Sequence, residues 1–207
     1  EAGIVMTFLR GVRSASVPGA GKAWTGRGPG DGRVAVACTG PGTERSHRRG
    51  SEILDTVAPS RVVSWGVAGA LCAGIRAGDI AVARTFVDGR SGETVRPLHA
   101  QESEWPDAPP LPENTRRTRS LTWPRPVILS GTRRRLAQRY GCGIVQMEDA
   151  VLARLCRRKA RAFLAVRTVV DDLSPPRLPD PARICWLRRR LRAGASRAVH
   201  LAAGPAP

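Results

Sequence analysis

The chain has 207 residues, 42% of them hydrophobic, and a formal net charge of +17. That length fits one globular domain, residues 1–207, with a sizeable core. All but Lys22 and Lys159 of the 34 basic residues are arginine, scattered along a chain only 4% aromatic, so the charge reads as solvated arginine faces and disfavours a nucleic-acid surface.

The first apolar run, residues 3–8, is predicted as a strand. Residues 11–32 are rich in Gly, Pro, Ser and Ala and read as loop. Within them Gly19-Ala20-Gly21-Lys22-Ala23 approaches a phosphate loop, but that pattern needs Gly where Ser16 stands and Ser or Thr where Ala23 stands. Residues 33–39 form a predicted strand ending in Gly40-Pro41-Gly42. A helix capped by Thr43 follows, with Ile53, Leu54 and Val57 inward. Residues 61–65 are the next strand, breaking at Gly66-Val67-Ala68-Gly69-Ala70, where small residues permit either close approach of a ligand or a tight packing turn. Residues 79–87 are another strand.

Residues 88–126, with their prolines and few apolar runs, read as a surface excursion. A short strand at 127–130 and a basic helix from Thr132 through Tyr140 come next. After an apolar run from Gly143, a helix carries Val151, Leu152, Leu155 and Cys156 at helical spacing. The strand at 162–170 follows. Beyond Ser174-Pro175-Pro176, Asp180 caps a last helix with Ile184, Trp186, Leu187 and Leu191 inward and an arginine run outward.

Cys38, Cys72, Cys142, Cys156 and Cys185 lack CxxC spacing and look like small buried residues of a reducing compartment. His47, His99 and His200 have no metal-ligand spacing, so no metal or cofactor is expected. No apolar run reaches transmembrane length and no signal-peptide pattern is present, which predicts a cytoplasmic protein.

Alternating strands and helices predict an α/β domain, in which ligands bind outside the carboxyl ends of the strands. Glu148 and Asp171 both fall at such ends, which places two carboxylates near one crevice. Spacing alone favours cap and turn acids, the role assigned to their neighbours Asp149 and Asp172, over a catalytic pair.

Three ordered segments together resemble the nucleoside phosphorylase and nucleosidase family. They are Thr39-Gly40-Pro41-Gly42; Ser64-Trp65-Gly66-Val67-Ala68-Gly69 with Arg76-Ala77-Gly78-Asp79-Ile80; and Val145-Gln146-Met147-Glu148 with Ala165-Val166-Arg167 leading to Asp171. The nearest likeness is to the hopanoid-associated phosphorylase branch, whose last strand runs through an Asp into a Pro-rich segment, as residues 171–179 do. The resemblance implies a three-layer α/β/α fold around a mixed, partly barrel-like sheet, and cleavage of a purine N-glycosidic bond. By similarity Asp171 handles the purine N7 proton, Glu148 grips the ribose hydroxyls and Met147 packs on the sugar, with Ser130 a further substrate contact. Thr39, Gly40, Gly42, Gly66, Ala68 and Gly69 would line the phosphate or ribose side.

Nucleosidases of this family carry an acid after the first strand to activate water, and Phe8-Leu9-Arg10-Gly11 has none. The expectation is therefore phosphorolysis, with phosphate as co-substrate. Val170 stands where many members have Ser, and Ala70 where a further Gly is usual. The expected substrate is adenosylhopane, which needs an apolar path from the ribose to the surface; Leu98, Trp105, Leu111, Leu121 and Trp123 are candidate contacts along it, or else tack the excursion onto the body. Alternatives are a soluble purine nucleoside, a methylthioadenosine or S-adenosylhomocysteine-type nucleosidase, or an inactive basic nucleic-acid-binding protein on the same fold. The resemblance also implies a homo-oligomer, and the arginines could make peripheral contact with anionic membrane.

Overall fold

The computed structural model describes Thr7, residues 9–17, 21–28, 31–97 and 114–174, and four helical residues further on, Arg192, Ala195, Ala198 and Ala202. Of the strand expected at 3–8 only Thr7, in a turn, is among them, and the residues 175–191 of the last expected break and helix lie outside them.

Strands β1 (Arg10–Val17), β2 (Gly21–Arg27) and β3 (Arg33–Ala37) form a three-stranded antiparallel sheet, order β1-β2-β3. This corrects the loop expected at 11–32. Seven of the eight residues of β1 are exposed, so no apolar alternation announces the strand, and the backbone ladder to β2 defines it instead. One end of the sheet is tacked to the body where Val17 and Ala23 pack with Ala37 and Ile53.

Helix α1 (Thr43–Val57) begins one residue earlier than a Thr43 cap would place it, with Gly42 as N-cap at φ 96°. Gly42 reaches that left-handed φ without a Cβ penalty. Leu54 is buried as expected, and Ile53 and Val57 are half-buried. Ala58, left-handed at φ 45°, ends the helix ahead of Pro59.

Strand β4 (Arg61–Ala70) does not break at Gly66. It runs parallel to β9 (Ala162–Asp171) from Arg61 to Ala68, shifts register, and at Gly69 and Ala70 pairs antiparallel with β8 (Ile144–Gln146). Its small residues clear space for side chains from behind. A Cβ on Gly66 would lie 3.1 Å from Arg167 Nη1, and one on Gly69 would lie 2.7 Å from Asp171 Oδ1.

The expected surface excursion also needs correction. It contains β6 (Thr94–Val95) and β7 (Thr115–Thr122), and β7 lies inside the sheet between β5 (Ile80–Asp88) and β8. The outer half of β7 is arginine-rich and its inner half buries Ser120 and Thr122 beside Leu121, so polar residues disguise an interior strand. Residues 127–129 form no strand: Val127 is buried, Ile128 and Leu129 are exposed, and helix α2 (Ser130–Tyr140) starts at Ser130 with Leu129 as N-cap.

The main sheet has the order β6-β5-β7-β8-β4-β9, and an antiparallel ladder between β9 and β5 closes five of its strands into a mixed barrel. Helices flank it in a three-layer α/β/α arrangement. Phe86 on β5 joins Phe163 and Leu54 under α1 and α3 (Asp149–Arg158), while the adjacent Val87 joins Leu121, Val145 and Leu136 of α2. Alternate residues of one strand thus serve opposite layers. Among the described residues no helix is long and apolar enough to cross a membrane.

Candidate active site

The carboxyl ends of β4, β8 and β9 converge, and Gly69 sits between them, paired with Val145 of β8 and with Asp171 of β9. A cavity of about 720 Å³ opens there. Of the residues singled out in the sequence, Thr39, Gly40, Gly66, Ala68, Gly69, Met147, Glu148 and Asp171 line it. Gly42 does not, but its N–H donates to Glu148 Oε1 at 3.1 Å. Ser130 lies outside this lining, exposed on the first turn of α2.

Glu148 is placed by the residue two before it. The Gln146 side chain is buried, and its Oε1 accepts the N–H groups of both Glu148 and Asp149. Its Nε2 donates to Ser120 Oγ at 3.0 Å and Thr122 Oγ1 at 2.8 Å. Thr122 Oγ1 in turn accepts the Ala150 N–H at 2.8 Å. The open N–H groups of α3 are therefore capped by β7 and β8 rather than by a local cap residue. Burial raises the Glu148 carboxyl above the usual range. The Arg167 charge and the Gly42 N–H pull it back, and the Asp149 charge pushes it up further.

Behind Glu148 lies an ion pair. Asp149 is fully buried and pairs with Arg167 of β9, itself 3% exposed. Ser64 and Ser120 donate to the Asp149 carboxylate at 3.2 and 3.1 Å. Burial raises the Asp149 carboxyl; Arg167 and the hydroxyls oppose that shift. Asp149 is thus the first residue of a helix, as expected, and also half of a buried pair. The signal for it was Arg167, the one charge inside the apolar run of β9. Arg167 lines the cavity, and its buried Nε has no hydrogen-bond partner among the described residues.

At the end of β9, Asp171 pairs with Arg133 of α2. Arg133 was missed because it sits in a basic helix among exposed arginines. Asp172 is the turn acid expected: its Oδ2 accepts the Ala77 N–H at 3.1 Å and its Oδ1 the Ser174 N–H at 2.9 Å. Among the described residues no group of His, Cys, Asp and Glu could hold a metal ion.

The apolar path drawn along 88–126 is corrected for the residues described. Leu121 is wholly buried and Trp123 packs on Tyr140 and the α2 cluster, and neither lines the cavity. Leu98, Trp105 and Leu111 lie outside the described residues. The cavity's apolar wall comes from elsewhere, from Val34 and Val36 of β3, Trp65 of β4, and Ala198 and Ala202 of the C-terminal helical residues, with the exposed Ile128 at another edge.

The sequence model of the phosphorylase superfamily matches residues 5–182. Among solved structures, the Campylobacter jejuni 5′-methylthioadenosine/S-adenosyl homocysteine nucleosidase matches with a TM-score of 0.80 at 12% identity, covering 96% of this chain and 92% of that one. The S. pneumoniae nucleosidase of the same name, bound to a transition-state inhibitor, gives 0.75 at 17% identity, with 97% and 94% covered. A futalosine hydrolase mutant of Helicobacter pylori gives 0.73 at 15% identity, with 96% and 90% covered. At these identities the likeness is one of fold. No curated protein matches the chain.

Proposed function

This chain belongs to the phosphorylase superfamily, and on that premise we propose that it cleaves the N-glycosidic bond of a purine nucleoside between Glu148 and Asp171. The observation that carries the reading is that these two carboxylates, 23 positions apart in sequence, line one cavity at the ends of β8 and β9, the two strands that flank β4.

In this mechanism the C1′–N9 bond breaks with its electron pair passing to the purine, and the ribosyl group becomes oxocarbenium-like. The Asp171 carboxyl delivers a proton to N7, or holds it there, so that the base need not leave as an anion. Glu148 accepts hydrogen bonds from the ribose hydroxyls, with Met147 against the sugar. Phosphate attacks C1′ to form the new C–O bond. Backbone N–H groups around Thr39 and Gly40, and the Arg167 Nε that lacks an acceptor among the described residues, are donors suited to that anion.

The expected product is adenine, and the 5′ group we favour is the polycyclic lipid of adenosylhopane. The wall of Val34, Val36, Trp65, Ala198 and Ala202 supports an apolar group beyond the ribose. A homo-oligomer and peripheral membrane contact belong to the same proposal; Ile128 at 79% and Leu129 at 71% exposure offer an apolar face for a second copy.

The test is to present adenosylhopane in detergent, methylthioadenosine and inosine, each with and without phosphate. Phosphate-dependent adenine release from adenosylhopane, with a phosphorylated sugar, supports the full reading. A preference for the small nucleosides leaves the family-level chemistry and removes the lipid. Full activity without phosphate, yielding a free sugar, makes water the nucleophile. No turnover with salt-sensitive DNA retention supports a binding protein instead.

A further inference from the structure

We propose that Arg133 is a positioning residue that fixes the orientation of the Asp171 carboxylate at the cavity. This rests on the reading of Asp171 as the purine-side carboxyl.

Arg133 is 4% exposed, whereas the Asp171 side chain it holds is 48% exposed. A guanidinium buried to that degree must have its donors matched, and Arg133 matches them in three directions. Nε donates to the Val127 carbonyl at 2.7 Å, Nη1 to the Asp172 carbonyl at 3.2 Å, and Nη2 to Asp171 Oδ2. Two of these acceptors are backbone. The guanidinium is therefore fixed to the segment before α2 and to the end of β9 independently of the carboxylate. Its own helix is anchored, with the Arg133 N–H bonded to the Leu129 carbonyl at 3.0 Å and Leu136, one turn on, packed in the core.

Asp171 is the last residue of its strand, where a side chain without a partner would sample several rotamers. Arg133 takes Oδ2 and leaves Oδ1 with no hydrogen-bond partner among the described residues. Oδ1 lies over Gly69, where a Cβ would come within 2.7 Å of it and within 3.4 Å of the Arg133 guanidinium. The bare glycine and the buried arginine together leave one oxygen held and the other available to a ligand. A purine N7 needs one such oxygen at a fixed place, and preorganisation of this kind is lost when the supporting side chain is removed.

The experiment compares R133M, R133K, D171N and the double variant R133M/D171N, with circular dichroism and thermal unfolding to verify the fold. Adenine release is measured as kcat and KM separately. R133M is expected to lower kcat by roughly 10–100-fold, the range for a misplaced reacting group, with a much smaller change in KM. R133K, which keeps a cation and donors, should recover part of that loss. In the D171N background R133M should cost little more, because residues acting through one another are not additive. If R133M does not fold, R133K with D171N closes the same cycle.

Independent, multiplying losses overturn the proposal, as does a folded R133M enzyme with normal kcat. R133K no better than a folded R133M also overturns it. Full turnover by folded D171N overturns the reading of Asp171 itself, whereas an inactive D171N beside an unimpaired R133M removes only the role given to Arg133.

Discussion

The backbone N–H of Gly42 donates to the Glu148 carboxylate at 3.1 Å across 106 positions of sequence. One bond thus ties the turn entering α1 to the turn entering α3, and places the left-handed Gly42 behind the proposed sugar-binding acid. Glu148→Gln keeps an acceptor for that N–H but loses the charge, and should lower turnover by on the order of 10–100-fold through sugar misplacement. Steady-state adenine release checks it.

The same substitution should have a pH-dependent effect on stability. Burial first, and the Asp149 charge after it, raise the folded Glu148 carboxyl above its unfolded value. The native state then binds the proton more tightly, so this group's contribution is present in acid and lost as pH rises through the raised value. Glu148→Gln removes that loss. Thermal unfolding should show the variant gaining on the parent at neutral pH and losing the advantage toward pH 4.

Arg167→Met should be costly, because it leaves the fully buried Asp149 carboxylate without its cation. Breaking one side of a buried pair costs about 3–5 kcal/mol. Burial already pushes the Asp149 carboxyl up, so the variant can shed part of the cost by taking up a proton, and the deficit should shrink as pH falls. Urea unfolding at acid and neutral pH reads both effects, and the double variant with Asp149→Asn should recover some of the loss.

Gln146→Leu should unfold more readily than its size suggests. It removes the acceptor shared by the Glu148 and Asp149 N–H groups and the donor to Ser120 and Thr122. Leaving buried polar partners unmet costs about 1–3 kcal/mol. Activity should fall too, since Glu148 loses its backbone anchor, and comparing denaturation midpoints with kcat separates the two.

Cys38 is exposed and lines the cavity, while Cys142 and Cys156 are buried, their thiols pushed by burial to about 11 and about 12. Iodoacetamide at mildly alkaline pH should alkylate Cys38 and spare the other two. A purine nucleoside occupying the cavity should slow the labelling. Peptide mapping reports both, and equal labelling with and without nucleoside would place the ligand elsewhere.

The apolar strands were legible. The expected stretches at 33–39, 79–87 and 162–170 became β3, β5 and β9 with ends shifted by no more than two residues, because β-branched and small apolar runs bounded by turn residues leave few alternatives. What escaped was structure built from polar residues. β1 is exposed along nearly its whole length and β7 buries Ser120 and Thr122, so neither shows an apolar period. Gly66 to Ala70 looked like a turn because glycine is read first as a backbone device. Here it makes room for Arg167 and Asp171, a contact between distant segments that local pattern does not contain. The crevice between Glu148 and Asp171 followed from strand ends alone, but Arg133 did not, since nothing in a run of three arginines marks which one turns inward.

The ladder from β9 to β5, Ala165 to Ala83 through Thr168 to Ile80, is the last closure the ring can make. On the ribosome, β4 and β5 emerge long before the strand that pairs with both, and each must wait with an unmatched edge. Such edges are templates for pairing with another chain. Loss of β9 by a premature stop would therefore do more than delete Asp171: it would leave an open sheet. Such a product is expected in inclusion bodies and chaperone complexes rather than as a quiet, inactive monomer.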